Sequence, residues 1–186
     1  MIYPIPQKNN LVGEKVSVSA VSFAGDFTEV AENVFAKYNL PVSNDGFPVE
    51  IKISDSKKTT YIDSLSCLSN EKYFIEVSEE KLIIETSAKR GVFRAVNTLA
   101  KLISKNELRT GVLEDYPVFA KRGYIEGFYG DTWEQSKRLS VMELMSKYGM
   151  NTFYYAPKDD EYHREKWREV YPEKELSDLK NLFDFE

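Results

Sequence analysis

"RGYIEGFYGDTW" (122–133) begins the region whose reading decides the fold. Its GYIEGF portion is a short continuous strand candidate. The next stretch, "GDTWEQSKRLSVMELMSKYGM" (130–150), reads as a helix. Thr132 and Gln135 fit a capping box at its start, and Gly149 fits a stop at its end. "NTFYYAP" (151–157) is a second strand closed by Pro157, and a polar loop follows. "EKELSDLKNLFDF" (173–185) then places Leu176, Leu179, Leu182 and Phe183 on one helical face. Strand, helix, strand, helix is the rhythm of a parallel sheet or a (β/α) barrel. Arg122 to Glu186 is 65 residues, whereas an eight-unit barrel takes roughly 250. Two βα units leave a strand edge open. The region is therefore either a small open α/β domain or the truncated start of a barrel, and the second reading is preferred.

The N-terminal side has a different character. Val16, Val18 and Ala20 alternate with serines and predict a half-buried strand. In "DFTEVAENVFAKYNL" (26–40), Asp26 and Glu29 resemble a capping box, and Val30, Val34, Phe35 and Tyr38 share a helical face. "PVEIKIS" (48–54) alternates again. "KYFIEV" (72–77) and "LIIET" (82–86), joined by a short polar turn, predict a hairpin. "KRGVFRAVNTLAKLI" (89–103) is a second amphipathic helix, with Phe93, Val96, Leu99, Ala100 and Ile103 at core spacing. The expectation is a small sheet with two helices on one face, carrying no catalytic group. The fold class is α/β: an α+β domain over residues 1–121, then two βα units over 122–186.

Composition excludes several function classes. A hydrophobic fraction of 42% can supply a core. A net charge of −5, with basic residues spread along the chain, argues against a nucleic-acid footprint. No apolar run is long enough to span a bilayer, and "MIYPIPQKNN" (1–10) lacks a signal-peptide core. Cys67 is the only cysteine, which excludes an intrachain disulfide and a cysteine-based zinc site. His163 is the only histidine, and no nucleophile-elbow motif accompanies it. No cofactor or metal is expected, and compartment and oligomeric state are left open.

Two motifs, "RGYIEGFYGDTW" (122–133) and "NTFYYAPKDDEYHREKWREVYP" (151–172), occur in order with a helix-length gap. Together they resemble the opening of the catalytic barrel of glycoside hydrolase family 84, the β-N-acetylglucosaminidases that include O-GlcNAcases and bacterial enzymes labelled hyaluronidases. "YFIEVSEEKLIIETSAKRGVFRAVNTLAKLI" (73–103) resembles, less closely, the small α/β domain that precedes such barrels. Thr132 departs from the proline common there, but either residue can start a helix.

The resemblance implies retaining removal of terminal β-linked N-acetylglucosamine from a glycan or glycoprotein. The sugar's own acetamido oxygen attacks, an exception to the usual two-carboxylate scheme. In the family, of an aspartate pair after the fourth barrel strand, one orients the acetamido group and its neighbour serves as general acid and then base. That pair has no counterpart in this chain, so no catalytic residue is assigned and the chain alone is expected to be inactive. Asp159 and Asp160 follow the second strand and read as structural, capping the loop or pairing with Arg164 or Lys166, the alternative being a direct or indirect contact to the sugar. Lys158 matches a lysine that hydrogen-bonds sugar hydroxyls; without the resemblance it reads as a solvated loop lysine. Gly127 matches a glycine whose carbonyl accepts a sugar hydroxyl, its plain reading being a strand-end turn. Phe128 and Tyr129 are candidates for pocket wall or core. Glu126 reads as a hydrogen-bonded structural carboxylate and His163 as loop packing. The rival reading is a non-catalytic carbohydrate-binding or structural module.

Overall fold

The structure, a computed structural model, describes residues 2–54, 68 and 70–183; Cys67 lies outside them. The chain forms two compact units, Met1–Ala120 and Lys121–Glu186.

Among the described residues, the first unit is a six-stranded mixed sheet with two helices. Its strands are β1 (Lys8–Asn10), β2 (Val21–Gly25), β3 (Phe47–Ile53), β4 (Tyr73–Val77), β5 (Leu82–Thr86) and β6 (Gly111–Asp115). Its helices are α1 (Thr28–Lys37) and α2 (Lys89–Ser104). The strand order is β1-β6-β4-β5-β3-β2. β2, β3 and β5 run parallel, while β4 pairs antiparallel with β5 and β6, and β1 antiparallel with β6. The hairpin forms as the sequence predicts, closed by Ser78, whose N–H donates to the Lys81 carbonyl at 2.9 Å. Val49 and Ile51, Ile75 and Val77, and Leu82 and Ile84 alternate into one core with Ala31, Val34, Phe35, Val96, Leu99 and Ala100. Each large aliphatic side chain buried there contributes about 1.5–3 kcal/mol.

Three expectations are corrected. Residues 16–20 form no strand. Burial does alternate there, with Val16 buried and Val18 and Ala20 half-buried, but Lys15 makes only an isolated bridge to Arg109 and the ladder starts at Val21. Nor does Asp26 cap α1: its carboxylate accepts the Ile53 N–H at 2.8 Å, and Phe27, at φ 54°, stands at the cap position with no side-chain bond. Gly25, the residue before Asp26, has φ +100° and a position where a Cβ would lie 2.0 Å from the Ile51 carbonyl oxygen. The bend into α1 is thus set by β3 rather than by a capping box. Finally, β1 and β6 complete the sheet where the sequence predicts neither.

The second unit is β7 (Gly123–Glu126), α3 (Gln135–Lys147), β8 (Thr152–Tyr155), a 3₁₀ turn (Glu161–His163) and α4 (Glu173–Phe183). β7 and β8 are parallel, as a βαβ unit requires. Gly149 stops α3 with φ +76°, and the Met150 N–H reaches the Met145 carbonyl at 2.9 Å, the hydrogen-bond pattern of a Schellman end. Asn39 and Asn106 end α1 and α2 in the same way, with φ 53° at each. The Thr132–Gln135 box does not form: α3 begins after Glu134, and the Gln135 side-chain amide donates to the Asp178 carbonyl at 2.5 Å. On α4, Leu182 is buried but Leu176 is 47% exposed, so the predicted face is only partly covered.

Candidate functional site

The site is built on β7 and β8. Their register places Tyr124 opposite Phe153 and Glu126 opposite Tyr155. Strand alternation puts these four side chains on one face, which α3 reaches through Arg138. Trp133 stacks on Tyr124 with centroids 5.4 Å apart, and Phe128 meets Trp133 at 5.2 Å. Ile125 and Tyr154, on the opposite face, are 60% and 44% exposed. The two strands approach closely at their start, where a Cβ on Gly123 would lie 1.6 Å from the Thr152 carbonyl oxygen.

Glu126 is fully buried. A carboxylate there is tolerated only with partners, and it has three donors. Arg138 on α3 donates from Nε at 2.7 Å and Nη2 at 2.9 Å, and the Trp133 N–H donates at 3.0 Å. Burial works to lower the Arg138 guanidinium, but the bonds to Glu126 outweigh it and hold the group above its ordinary range. The same guanidinium lies 4.8 Å from the Tyr155 ring. Glu126 therefore takes the structural role expected of it.

Asp160 is a second buried anchor. One carboxylate oxygen accepts the Tyr155 hydroxyl at 2.7 Å and the Tyr171 hydroxyl at 2.9 Å; the other caps the 3₁₀ turn through the Tyr162 N–H at 2.8 Å. Burial pushes this carboxyl up, but the three donors outweigh it and leave it below its usual value. Burial, and then the bond to Asp160, drive both tyrosines well above the ordinary phenol range. His163 meets the Tyr155 ring edge-on at 5.3 Å, as packing. Lys166 pairs with Glu161 rather than with either aspartate. Arg138, Tyr155, Asp160 and Tyr171 line a cavity of about 440 Å³.

Past the strand ends, two loops run side by side. The Ala156 N–H donates to the Glu126 carbonyl at 3.0 Å and the Lys158 N–H to the Phe128 carbonyl at 3.0 Å. The Gly130 N–H donates to Asp159 Oδ2 at 2.6 Å. The structure thus brings Gly127 and Lys158 onto neighbouring loops at the C-terminal ends of parallel strands, where barrel enzymes place their chemistry. Gly127 is half-buried and Lys158 exposed. A Cβ on Gly127 would stand 3.0 Å from Ile125 Cγ2. Phe128 and Tyr129 diverge: Phe128 packs on Trp133, while Tyr129 is 68% exposed and its ring lies 4.8 Å from Lys158 Nζ and 5.7 Å from the Arg164 guanidinium.

Arg138, Tyr155 and Tyr171 are partners the sequence does not single out. One signal was available, because Glu126 inside an apolar strand demands a cation, but only packing selects Arg138 over Lys137. Among the described residues no group of three or more His, Cys, Asp or Glu is placed to hold a metal. No helix among them is long and apolar enough to cross a membrane.

Comparison with known proteins bears on both units. Residues 122–185 match the family model described as beta-N-acetylglucosaminidase, and residues 2–116 match glycosyl hydrolase family 20, domain 2. Over 60 residues, 32% of this chain and 7% of the relatives, it is 43% identical to Protein O-GlcNAcase from Rattus norvegicus and from Mus musculus. All of the chain matches 34% of the solved structure of CpGH84B, with a TM-score of 0.77 and 32% identity. It also matches 35% of CpGH84D, with a TM-score of 0.74 and 25% identity. It therefore spans about a third of those solved chains and a small fraction of the curated relatives. With a domain of the family-20 domain-2 type followed by a β-N-acetylglucosaminidase segment, the chain belongs to glycoside hydrolase family 84, a hexosaminidase and O-GlcNAcase-like family.

Proposed function

We propose that this chain supplies part of the sugar-binding wall of a retaining β-N-acetylglucosaminidase, acting on terminal β-linked N-acetylglucosamine of a glycan or glycoprotein. In this reading residues 1–121 are the N-terminal domain, and 122–186 are the first two βα units of the catalytic barrel. The observation that carries it is the joining of the Gly127 and Lys158 loops by the Lys158 N–H to Phe128 carbonyl bond. Held there, the Gly127 carbonyl accepts one sugar hydroxyl and the Lys158 ammonium donates to others. The reaction is substrate-assisted: the acetamido oxygen attacks the anomeric carbon. One carboxyl orients the acetamido group, and another protonates the leaving oxygen and then deprotonates water. Neither Asp159 nor Asp160 takes these parts, because Asp159 already accepts the Gly130 N–H of the neighbouring loop and Asp160 accepts from Tyr155, Tyr162 and Tyr171.

The chain alone is accordingly inactive. Positioned proton transfer contributes roughly 10²–10⁴-fold, and no carboxyl assigned here supplies it. A few sugar hydrogen bonds, about 0.5–1.5 kcal/mol each and up to about 3 when charged, leave only weak sugar binding after an association cost of at least about 4 kcal/mol. The test is a chromogenic N-acetylglucosaminide assayed with the chain, the full-length parent and a Lys158→Ala parent. The expected result is no turnover by the chain, turnover by the parent, and strong impairment of Lys158→Ala. Turnover by the chain alone, or an unimpaired Lys158→Ala parent, overturns the assignment.

A further inference from the structure

We propose that Asp159 is a positioning residue for sugar binding, setting the geometry of the Gly127–Gly130 loop and of Lys158 without touching the sugar. The proposal rests on the reading of Gly127 and Lys158 as sugar contacts. Three bonds tie the two loops, and they differ in kind. The ties at Ala156 and Lys158 are backbone to backbone, so no side chain controls them. The third, farthest from the sheet, joins the Gly130 N–H to the Asp159 carboxylate at 2.6 Å. Its charged acceptor makes it about twice as strong as a neutral bond.

Little else holds the loop at that point. Gly130 has φ +97°, and no atom lies within 4 Å of where its Cβ would stand. Tyr129, just before it, is 68% exposed. Yet that ring is where the Lys158 ammonium rests, 4.8 Å from its centroid. The Tyr129 peptide is therefore pinned on both sides, by the Phe128 carbonyl toward the strand and by the Gly130 N–H toward the turn. The residue supplying the second pin follows Lys158 directly in the chain. Without Asp159 the loop loses its outer tie, and the Lys158 head and Gly127 carbonyl must be ordered when the sugar binds. That ordering cost falls on binding, so KM is the parameter that moves.

Four parent enzymes decide the matter: wild type, Asp159→Ala, Asp159→Asn and Asp159→Glu, each assayed with a chromogenic N-acetylglucosaminide and by amide hydrogen exchange at Gly130. Asp159→Ala is expected to raise KM about tenfold with a smaller fall in kcat, and to speed Gly130 exchange. Asp159→Asn keeps a neutral acceptor of the same reach and is expected to recover about half of the loss on a logarithmic scale, leaving KM about threefold above wild type. Asp159→Glu moves the acceptor by one methylene and is expected to recover little. If Asp159→Ala does not fold, the Asn-against-Glu contrast carries the decision. Lower thermal stability with unchanged KM, or equal behaviour of Asn and Glu, overturns the proposal. An inactive wild-type parent instead overturns the functional reading, and Gly130 exchange then still decides whether Asp159 holds the loop.

Discussion

The two units bury their helices by different means. In the first unit α2 buries nine of its sixteen residues, among them Val92, Ala95, Val96, Leu99 and Leu102. In the second unit α3 has thirteen residues and buries two, Arg138 and Met145. The large apolar cluster lies wholly within the first unit. What the second unit buries, besides Met145 and Leu182, is chiefly Glu126, Arg138 and Asp160 with their partners. An apolar core adds area without strong directional demands. A buried polar network adds little net stability but fixes which atom meets which. The directional network adjoins the loops that carry Gly127 and Lys158, and in the proposed reading geometry there matters to about an ångström.

Four measurements test that contrast, taken from the largest expected effect. Removing one partner of a buried ion pair costs about 3–5 kcal/mol. Glu126→Ala should therefore destabilise the second unit by that amount, because Arg138 keeps its charge with no carboxylate beside it. Both tryptophans, Trp133 and Trp167, lie in this unit, so fluorescence-monitored urea unfolding reports on it. The double variant Glu126→Leu with Arg138→Met should recover much of the loss, and a double variant as unstable as Glu126→Ala would show that the ion pair itself supplies the stability.

Leu99→Ala, at a fully buried position, should cost about 2–5 kcal/mol. The loss should appear in hydrogen exchange of β4, β5 and α2 and leave the tryptophan transition in place. A shifted tryptophan transition would mean that the units unfold together, and a single two-state free energy would then describe the chain.

Asp160→Asn weakens three bonds to a charged acceptor, and about 1–3 kcal/mol is expected at pH 7 by the same fluorescence readout. Its pH dependence fixes the sign. The folded carboxyl sits below its ordinary value, so its contribution is complete above the unfolded aspartate pKa of about 3.9. It is lost as pH falls through the folded value. The remaining effect belongs to the first unit. Burial, and then Arg94 and Lys105, bring the Lys101 ammonium down to about 8. The unfolded lysine, near 10.4, then holds its proton longer than the folded one. Stability of the first unit should rise as pH climbs from about 8 toward 10. Hydrogen-exchange free energies collected across both windows check both signs, and a Lys101→Met variant should flatten the upper one.

How much of this was legible in the sequence follows from the range of the interactions. The hairpin, both amphipathic helices and the βαβ rhythm were readable because periodicity is local: Val49 and Ile51 alternate, and Val96, Leu99 and Ala100 recur at helical spacing. Helix ends were readable where a residue tolerates a left-handed backbone, as Gly149 does. The misreadings came wherever a local signal was claimed by a distant partner. Asp26 looks like a cap until β3 presents the Ile53 N–H, and Thr132 and Gln135 look like a capping box until the Gln135 amide turns to the Asp178 carbonyl. β1 and β6 escaped notice because a polar three-residue edge strand and a strand ending in two carboxylates show no alternation.

The sequence by itself determined the family, the α/β class and the candidacy of Gly127 and Lys158, since those rest on residue identity and local order. Only the tertiary structure decided that Arg138 neutralises Glu126, that Asp160 gathers Tyr155 and Tyr171, and that Asp159 reaches Gly130. Those partners lie 11 to 29 residues apart in all but one case. Which donor satisfies a buried carboxylate is settled by the packing that excludes water from it, and that packing exists only once the chain has folded.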